Sequence, residues 1–515
     1  MTTAPAPPAD DIAALARGGR TNFFGFLIRL VARLPFLFIA GHWYGPETLG
    51  RFAYAVIVME LAAQLATMGL KRGLAQQLAG TVKPHVCIVW DGLLAAFIAS
   101  AAASAILMLF PQAMFPRGDV YGADWLLPLV IFGIAGADVA LAALAYRHDV
   151  AATVQVRAIV EPWTISIAAG VLWYFTPRDG LIIAYVVSVV AGLAAAMWRL
   201  LWSYGRPRGW KPNPAEILRM ARRNVPLAAA DAIEWGSRRL DIAILGLFVS
   251  PAVIGVYYVA QNIASLPQKL KTSFDPILAP VITQKLAEGD RAAVARQVRQ
   301  VGFWIIAAQA GIALALGIPG EAIMGLFGEG AAFVSGTAAL VFLLAAEVVA
   351  ATAVVSEAAL VYVARHRNLL ISLLMLAIQA VLTLSVILLL ENVRLPLTPV
   401  EVEAWQGAGA ALALALALGL ASILKARLLC RLLDAGVQGW RWPLLWAAAA
   451  AVIVGFAAVQ FPSWVQLAFG VPLIMAAFGI TVWYRGFTEE DRVLFKLHKV
   501  EAPTLPPPGT GPTVP

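Results

Sequence analysis

The stretch LIIAYVVSVVAGLAAAMWRLLWSYGRPRGWKPNPAEILRMARRN, residues 181–224, decides how the rest of the chain is read. Residues 181–203 are an apolar run with a single charge, Arg199. A helix of that length rises about 1.5 Å per residue, crosses a hydrocarbon layer of roughly 30 Å, and satisfies its own backbone hydrogen bonds where water is missing. The next twenty residues are opposite in character. Arg206, Arg208, Lys211, Arg219, Arg222 and Arg223 sit among Pro and Gly, the composition of a basic connection between helical bundles.

Apolar runs of the same kind recur on both sides of this stretch. Hydrophobic residues make up 61% of the chain and charged ones 13%, which excludes an ordinary water-soluble domain. The pattern predicts an all-α polytopic membrane protein with about fourteen transmembrane helices. Residues 1–22 read as a cytoplasmic N-terminus and 23–204 as a first lobe of about six spans; 205–223 form the basic linker. Residues 224–424 read as a second lobe of about six spans, 425–484 as two more, and 485–515 as a cytoplasmic tail whose Pro-rich end is disordered.

Connections between these spans alternate in Lys and Arg. Basic ones hold Lys71, Arg72 and Lys83, then Arg147, Arg206 to Arg223, Lys285 to Arg299, Arg365 with Arg367, Lys425 to Arg441, and Arg485 to Lys499. The opposite set holds Arg51, Arg117, Arg178 and Arg394. This asymmetry places both termini on the cytoplasmic side and accounts for the net charge of +8 without a nucleic-acid partner. Membrane lipids are the partner of those connections, KLAEGDRAAVARQVRQ among them. Cys87 and Cys430 lie near cytoplasmic span ends and read as free thiols. The start, MTTAPAPPADD, lacks the basic character of a cleaved signal.

Charges inside apolar spans cost about 2.5 to 3.5 kcal/mol each near the bilayer centre, so they mark cavities or ion pairs. Arg29 and Arg33 share a face of the first span; Glu60 and Gln64 share one in the second. Asp231, Glu234, Arg238 and Asp241 are spaced three, four and three along the seventh, with Arg239 beside them. The eighth adds Gln261, Asn262, Lys269 and Lys271 around Pro267, where a kink is expected. Asp91, Asp138, Arg157, Glu161, Glu347 and Glu357 complete the set. Each of these charges reads equally well as half of a structural pair, Glu234 with Arg238 or Arg33 with Glu60. Together they point to a water-filled cavity whose bases Arg29, Arg33, Arg157, Arg238, Arg239, Lys269 and Lys271 suit a pyrophosphate. The acids Glu60, Asp231, Glu234 and Asp241 are candidates for exchanging H+ or binding Na+.

Other chemistry is missing from the pattern. No GxxxxGK[ST] loop supports an internal ATPase, and the five histidines lack metal-ligand spacing, so no cofactor or metal is expected. The short external connections argue against a polymerase or ligase with an external catalytic domain, and the chain reads as a transporter, not an enzyme.

Three stretches carry a family resemblance. GGRTNFFGFLIRLVARLPFLFIAGHWYGPETLGRFAYA resembles the first two spans of the polysaccharide transporter branch of the multidrug/oligosaccharidyl-lipid/polysaccharide (MOP) exporter superfamily, the Wzx-type flippases. RRLDIAILGLFVSPAVIGVYYVAQNIASLPQKLKTSFDPILAPVITQKLAEGD is similar to its seventh and eighth spans, and GIPGEAIMGLFGEGAAFVSGTAALVFLLAAE to its ninth-to-tenth connection. The resemblance implies a MATE/MOP-like fold with a V-shaped cavity and alternating access, and puts Arg29, Arg33 and Asp241 at family-like positions. It also implies a lipid-linked glycan as substrate: undecaprenyl-pyrophosphate-linked oligosaccharide moved to the periplasmic leaflet by a monomer working beside polysaccharide assembly proteins. Peptidoglycan-precursor flippases accommodate Arg29, Arg33, Lys269 and Lys271 as well, and a cation-coupled multidrug exporter shares the lobes.

Overall fold

The computed structural model describes residues 34–80, 83–328, 332–393, 396–488 and 491, and the side chains of 150, 269–281 and 287 fall outside that description. Arg29, Arg33 and the Pro-rich tail therefore lie outside the described residues, as do the side chains of Lys269 and Lys271.

Every regular element among the described residues is helical. In chain order they are α1 (Leu34–Ile39, continued by a π turn Ala40–Tyr44), α2 (Gly45–Ala66), α3 (Leu70–Ala79), α4 (His85–Leu109), α5 (Leu127–Tyr146), α6 (Glu161–Trp173), α7 (Gly180–Tyr204) and α8 (Pro214–Leu245). Then come α9 (Pro251–Ala287), α10 (Arg291–Gly317), α11 (Thr337–Val363), α12 (Arg365–Asn392), α13 (Pro399–Leu433), α14 (Pro443–Ala458) and α15 (Val471–Thr481). Ten helical stretches among the described residues are long and apolar enough to cross a membrane. The chain is a multi-pass membrane protein. Helix α8 falls outside those ten because of its charges, α9 because polar residues such as Gln261, Asn262 and Gln268 interrupt its apolar run, and α14 because it is short.

Local chemistry sets the helix starts. Asn213 caps α8 through Ala215 N–H at 3.1 Å with Pro214 at the first helical position, where its missing N–H costs nothing. Asp290 caps α10 through Ala293 N–H at 2.9 Å. Thr398 and Glu401 form a capping box at α13, the Glu401 carboxylate accepting from Thr398 N–H at 2.7 Å. Pro267 does not interrupt α9: the helix runs through it, and its carbonyl accepts from the Gln309 amide at 2.9 Å.

Helices α1 to α7 pack on one another, and α8 to α13 likewise, with α2 lying against both α8 and α9. One apolar core runs across that contact, from Leu49 and Phe52 to Tyr257 and Ile263. A second core joins α10, α11 and α13 to α14 and α15. Along α2 and α9 the backbones touch: a Cβ on Gly50 would overlap the carbonyl of Pro251, and one on Gly255 the carbonyl of Pro46. Only hydrogen fits there.

Candidate functional site, a charged cavity inside the bundle

A cavity of about 370 Å³ opens where α1, α2, α5, α6 and α7 face α8 and α9. Its apolar part comes from residues such as Phe36, Phe52, Val56 and Trp235; its charged part from Glu60, Lys71, Asp138, Arg157, Glu161 and Arg239. Gln64, Tyr185, Tyr258 and Asn262 add uncharged polar groups.

The first-half side of the cavity is organised by Arg157. It stands on the π segment Gln155–Val160, just before Pro162. Proline lacks the N–H that a continuing α-helix needs, and a π turn inserts an extra residue, so the face the helix presents is re-aimed at this point. The Arg157 guanidinium donates to Glu161 Oε1 at 2.6 Å and, on its other arm, to Asp138. Lys71 Nζ lies 4.0 Å from the same Asp138. On the second-half side Arg239 donates to Gln261 Oε1 and faces Glu60 at 4.0 Å. These bonds fix both guanidinium groups in place, and the N–H groups they leave over are what an entering anion would meet.

Below the cavity a second network joins α3 to α8. Arg72 Nε reaches Asp231 at 2.8 Å while its terminal nitrogen bonds Glu234, and Glu234 also accepts from Arg238 at 2.9 Å. Lys83 pairs with Glu216 nearby. Gly69, at φ +71°, makes the turn that delivers α3 to this contact, and its α-carbon faces the Asn224 carbonyl.

Sequence spacing puts Asp231, Glu234, Arg238 and Asp241 on one stripe facing the cavity, and the structure corrects this. None of the four lines the cavity. Ten residues at about 100° each fall roughly 80° short of three turns, so the stripe rotates off its face. Asp231 and Glu234 turn to Arg72 and Arg238 pairs with Glu234, whereas Asp241 is fully buried between α8 and α9, accepting from the Tyr257 hydroxyl and from Gln261 at 3.4 Å. Arg239, beside the stripe, is the residue that reaches the cavity. The expected basic excess is also absent from the described lining, where Lys71, Arg157 and Arg239 balance Glu60, Asp138 and Glu161.

Among the other buried charges, Asp91 accepts from the linker indole Trp210 at 2.9 Å and Glu347 from Gln268 at 3.0 Å. By sequence Lys71 and Arg72 belong to a topology-setting basic connection, and the tyrosines Tyr185 and Tyr258 give no signal at all. An uncharged aromatic in an apolar span looks like core until its neighbours are known.

With this geometry in hand, comparison with known proteins is specific. A family model described as polysaccharide biosynthesis protein matches residues 44–315, more than half of the chain and most of the helices around the cavity. The chain belongs to the polysaccharide biosynthesis protein family. No curated protein matches it by sequence. Among solved structures, a lipid II flippase MurJ in an inward closed conformation superposes with a TM-score of 0.67 at 11% identity, covering 90% of this chain and 99% of that one. An inward-facing multidrug resistance MATE family transporter of the MOP superfamily gives 0.58 at 14% identity, covering 82% and 94%. A MOP superfamily transporter from Pyrococcus furiosus gives 0.54 at 14%, covering 83% and 96%. This polysaccharide biosynthesis family member therefore has the MOP transporter fold.

Proposed function

We propose that the protein is a flippase that carries undecaprenyl-pyrophosphate-linked oligosaccharide from the cytoplasmic to the periplasmic leaflet of a bacterial inner membrane, with both termini cytoplasmic, by alternating access. The observation that carries this reading is the charged cavity enclosed by apolar helices at the meeting of the two halves. A sugar pyrophosphate cannot cross hydrocarbon unaided, because an unpaired charge is strongly penalised there. Arg157 and Arg239 on opposite walls offer donors to the phosphates, and the tyrosines, Gln64 and Asn262 offer partners to sugar hydroxyls. The lipid chain stays among the surrounding acyl chains while the head group moves.

Two contacts between the halves suit this cycle. The glycine-packed contact of α2 with α9 serves as the pivot. The ion-paired contact of α3 with α8 serves as the gate, since its part-exposed pairs, Arg72 with Glu234 and Lys83 with Glu216, are each worth about 0 to 1 kcal/mol and separate readily. Membership in a polysaccharide biosynthesis family favours a glycan carrier over a peptidoglycan precursor. An ion gradient or the membrane potential supplies the energy.

The test is a strain whose surface polysaccharide depends on this protein. Arg157→Ala and Arg239→Ala should leave the protein in the membrane at normal abundance yet stop surface polysaccharide and accumulate the lipid-linked oligosaccharide. Normal polysaccharide in both variants would overturn the reading, and peptidoglycan failure without a polysaccharide defect would transfer it to the precursor.

A further inference from the structure

A second polar region lies apart from the cavity, in the seam of α11, α12 and α13. Lys425 of α13 is 4% exposed, and its ammonium donates to Glu357 of α11 at 2.8 Å and to Ser372 of α12 at 3.1 Å. Asn368 of α12 donates to the other Glu357 oxygen at 3.4 Å. The Glu357 side chain is 42% exposed, so the pair meets the outside on one flank.

From this pair a polar line runs inward along α12. Asn368, Ser372, Gln379 and Thr383 are spaced four, seven and four, which keeps them on one helical face. Gln379 and Thr383 are fully buried, and both amide atoms of Gln379 and the Thr383 hydroxyl have no hydrogen-bond partner among the described residues. The Ser356 hydroxyl and Asn368 Oδ1 are in the same condition. One turn beyond Thr383, Gln406 donates to the Ile387 carbonyl at 3.3 Å, carrying the polar line toward the far end of the seam.

An amide left without partners in an apolar setting costs about 2 to 7 kcal/mol, and a bundle surrounded by lipid has no bulk water to relieve it. Several such groups on one seam call for a small polar species that both donates and accepts. Water meets that need, provided each molecule finds two or more polar partners. The rise along α12 is about 6 Å from Asn368 to Ser372 and from Gln379 to Thr383, and about 10 Å across the middle gap. Met375 lies in that gap, packed on the small side chains of Ala417 and Ala421 of α13.

We propose that this seam holds a file of water that delivers protons to Glu357 from the far side of the membrane, making the Glu357–Lys425 pair the proton-coupling site. This rests on the flippase reading and moves its energy coupling away from the cavity acids. In the step, a proton from the water file forms an O–H bond on the Glu357 carboxylate. Lys425 keeps its own proton, loses its counter-ion and remains on Ser372. Release of the proton to the exposed flank restores the pair, so one positive charge crosses per cycle with no other reactant. Among the described residues no other charged side chain bonds either partner. On α11, Glu347 is turned to Gln268, and on α12 Arg365, His366 and Arg367 occupy the exposed first turn.

The experiment uses the full chain in liposomes with a fluorescent short-chain polyprenyl-pyrophosphate sugar, with and without a pH gradient. The expected result is movement accelerated by the gradient. That acceleration should be lost in Glu357→Gln and in the double variant Gln379→Leu/Thr383→Val, and kept in Glu357→Asp, which controls for folding. In parallel, X-ray hydroxyl-radical labelling should oxidise Met375 in the parent protein and spare it in the double variant. Gradient stimulation that survives in Glu357→Gln, absence of stimulation in a parent protein that does move the probe, or a Met375 that resists labelling would each overturn the proposal. A probe that never moves, with Met375 still labelled, would instead count against the flippase reading.

Discussion

Near the start of α2, Gly50 and Gly255 bring two backbones into direct contact with no side chain between them; past its other end, Arg72 and Lys83 reach across to Asp231, Glu234 and Glu216. The first contact is short-ranged, dry and tolerant of nothing larger than hydrogen. The second is built from ion pairs of which Arg72, Glu234, Lys83 and Glu216 are half-solvated and only Asp231 is buried, so most of its attraction is weak and screened. A contact of the first kind holds the halves in register while they rotate, and one of the second kind opens at little cost. On the proposed alternating-access reading, the difference between the two ends makes one the pivot and the other the gate.

The comparison breaks most severely at the glycines. Gly255→Val forces two methyl groups into the Pro46 carbonyl and should destabilise the protein by about 3 kcal/mol, at the upper end for overpacking. The loss should appear as a lower Tm and a poor yield of monodisperse protein. An unchanged Tm would show that the helices separate freely and remove the pivot.

Next in size is the buried link beside the pivot. Tyr257→Phe deletes the hydroxyl that donates to Asp241 and leaves that carboxylate to Gln261 alone. The expected loss is about 2 kcal/mol, read from thermal unfolding in detergent. Gln261→Leu should cost less, because Gln261 meets Asp241 only at 3.4 Å.

Arg72→Gln tests the gate at a cost of about 1 to 2 kcal/mol, because it takes the guanidinium from the buried Asp231 carboxylate, and with a large effect on conformation. A Lys83→Cys/Glu216→Cys pair, placed in a chain with Cys87 and Cys430 replaced, should form a disulfide readily in the parent background. The same pair should cross-link several-fold more slowly when Arg72→Gln is added. Equal cross-linking would mean that α3 is held by its apolar face alone.

The smallest effect is the pH dependence of the gate. The Lys83 ammonium hydrogen-bonded to Glu216 holds that carboxyl below its ordinary value. A depressed carboxyl contributes its attraction above the unfolded-state pKa and loses it as pH falls through the folded one. Fluorescence distances between labels on Ala79→Cys and Ala215→Cys, exposed positions that leave Lys83 and Glu216 in place, should thus stay constant across neutral pH and lengthen only in acid, below the usual carboxylate range. Lengthening between pH 7 and 8 would contradict the assignment.

Much of the helical framework was legible because hydropathy is a local property. The span expected at 181–203 is the helix Gly180–Tyr204. Twenty or so apolar residues in water have few alternatives to a buried helix, and caps such as Asn213 and Asp290 are written within three residues of the bonds they make. The polar character of α8 and α9 was equally plain. Which charges meet was not, because a helix can turn about its axis without changing its own sequence pattern. Tertiary packing set that rotation: it sent Asp241 to Tyr257, gave Arg239 rather than Arg238 to the cavity, and drew Lys71 and Arg72 out of a basic connection to acids on α5 and α8. The run of residues 181–224 thus determined by itself that the chain crosses a membrane and follows the crossing with a basic connection. The pivot, gate and cavity were decided only by packing, since contacts between helices depend on distances across the fold and not along the chain.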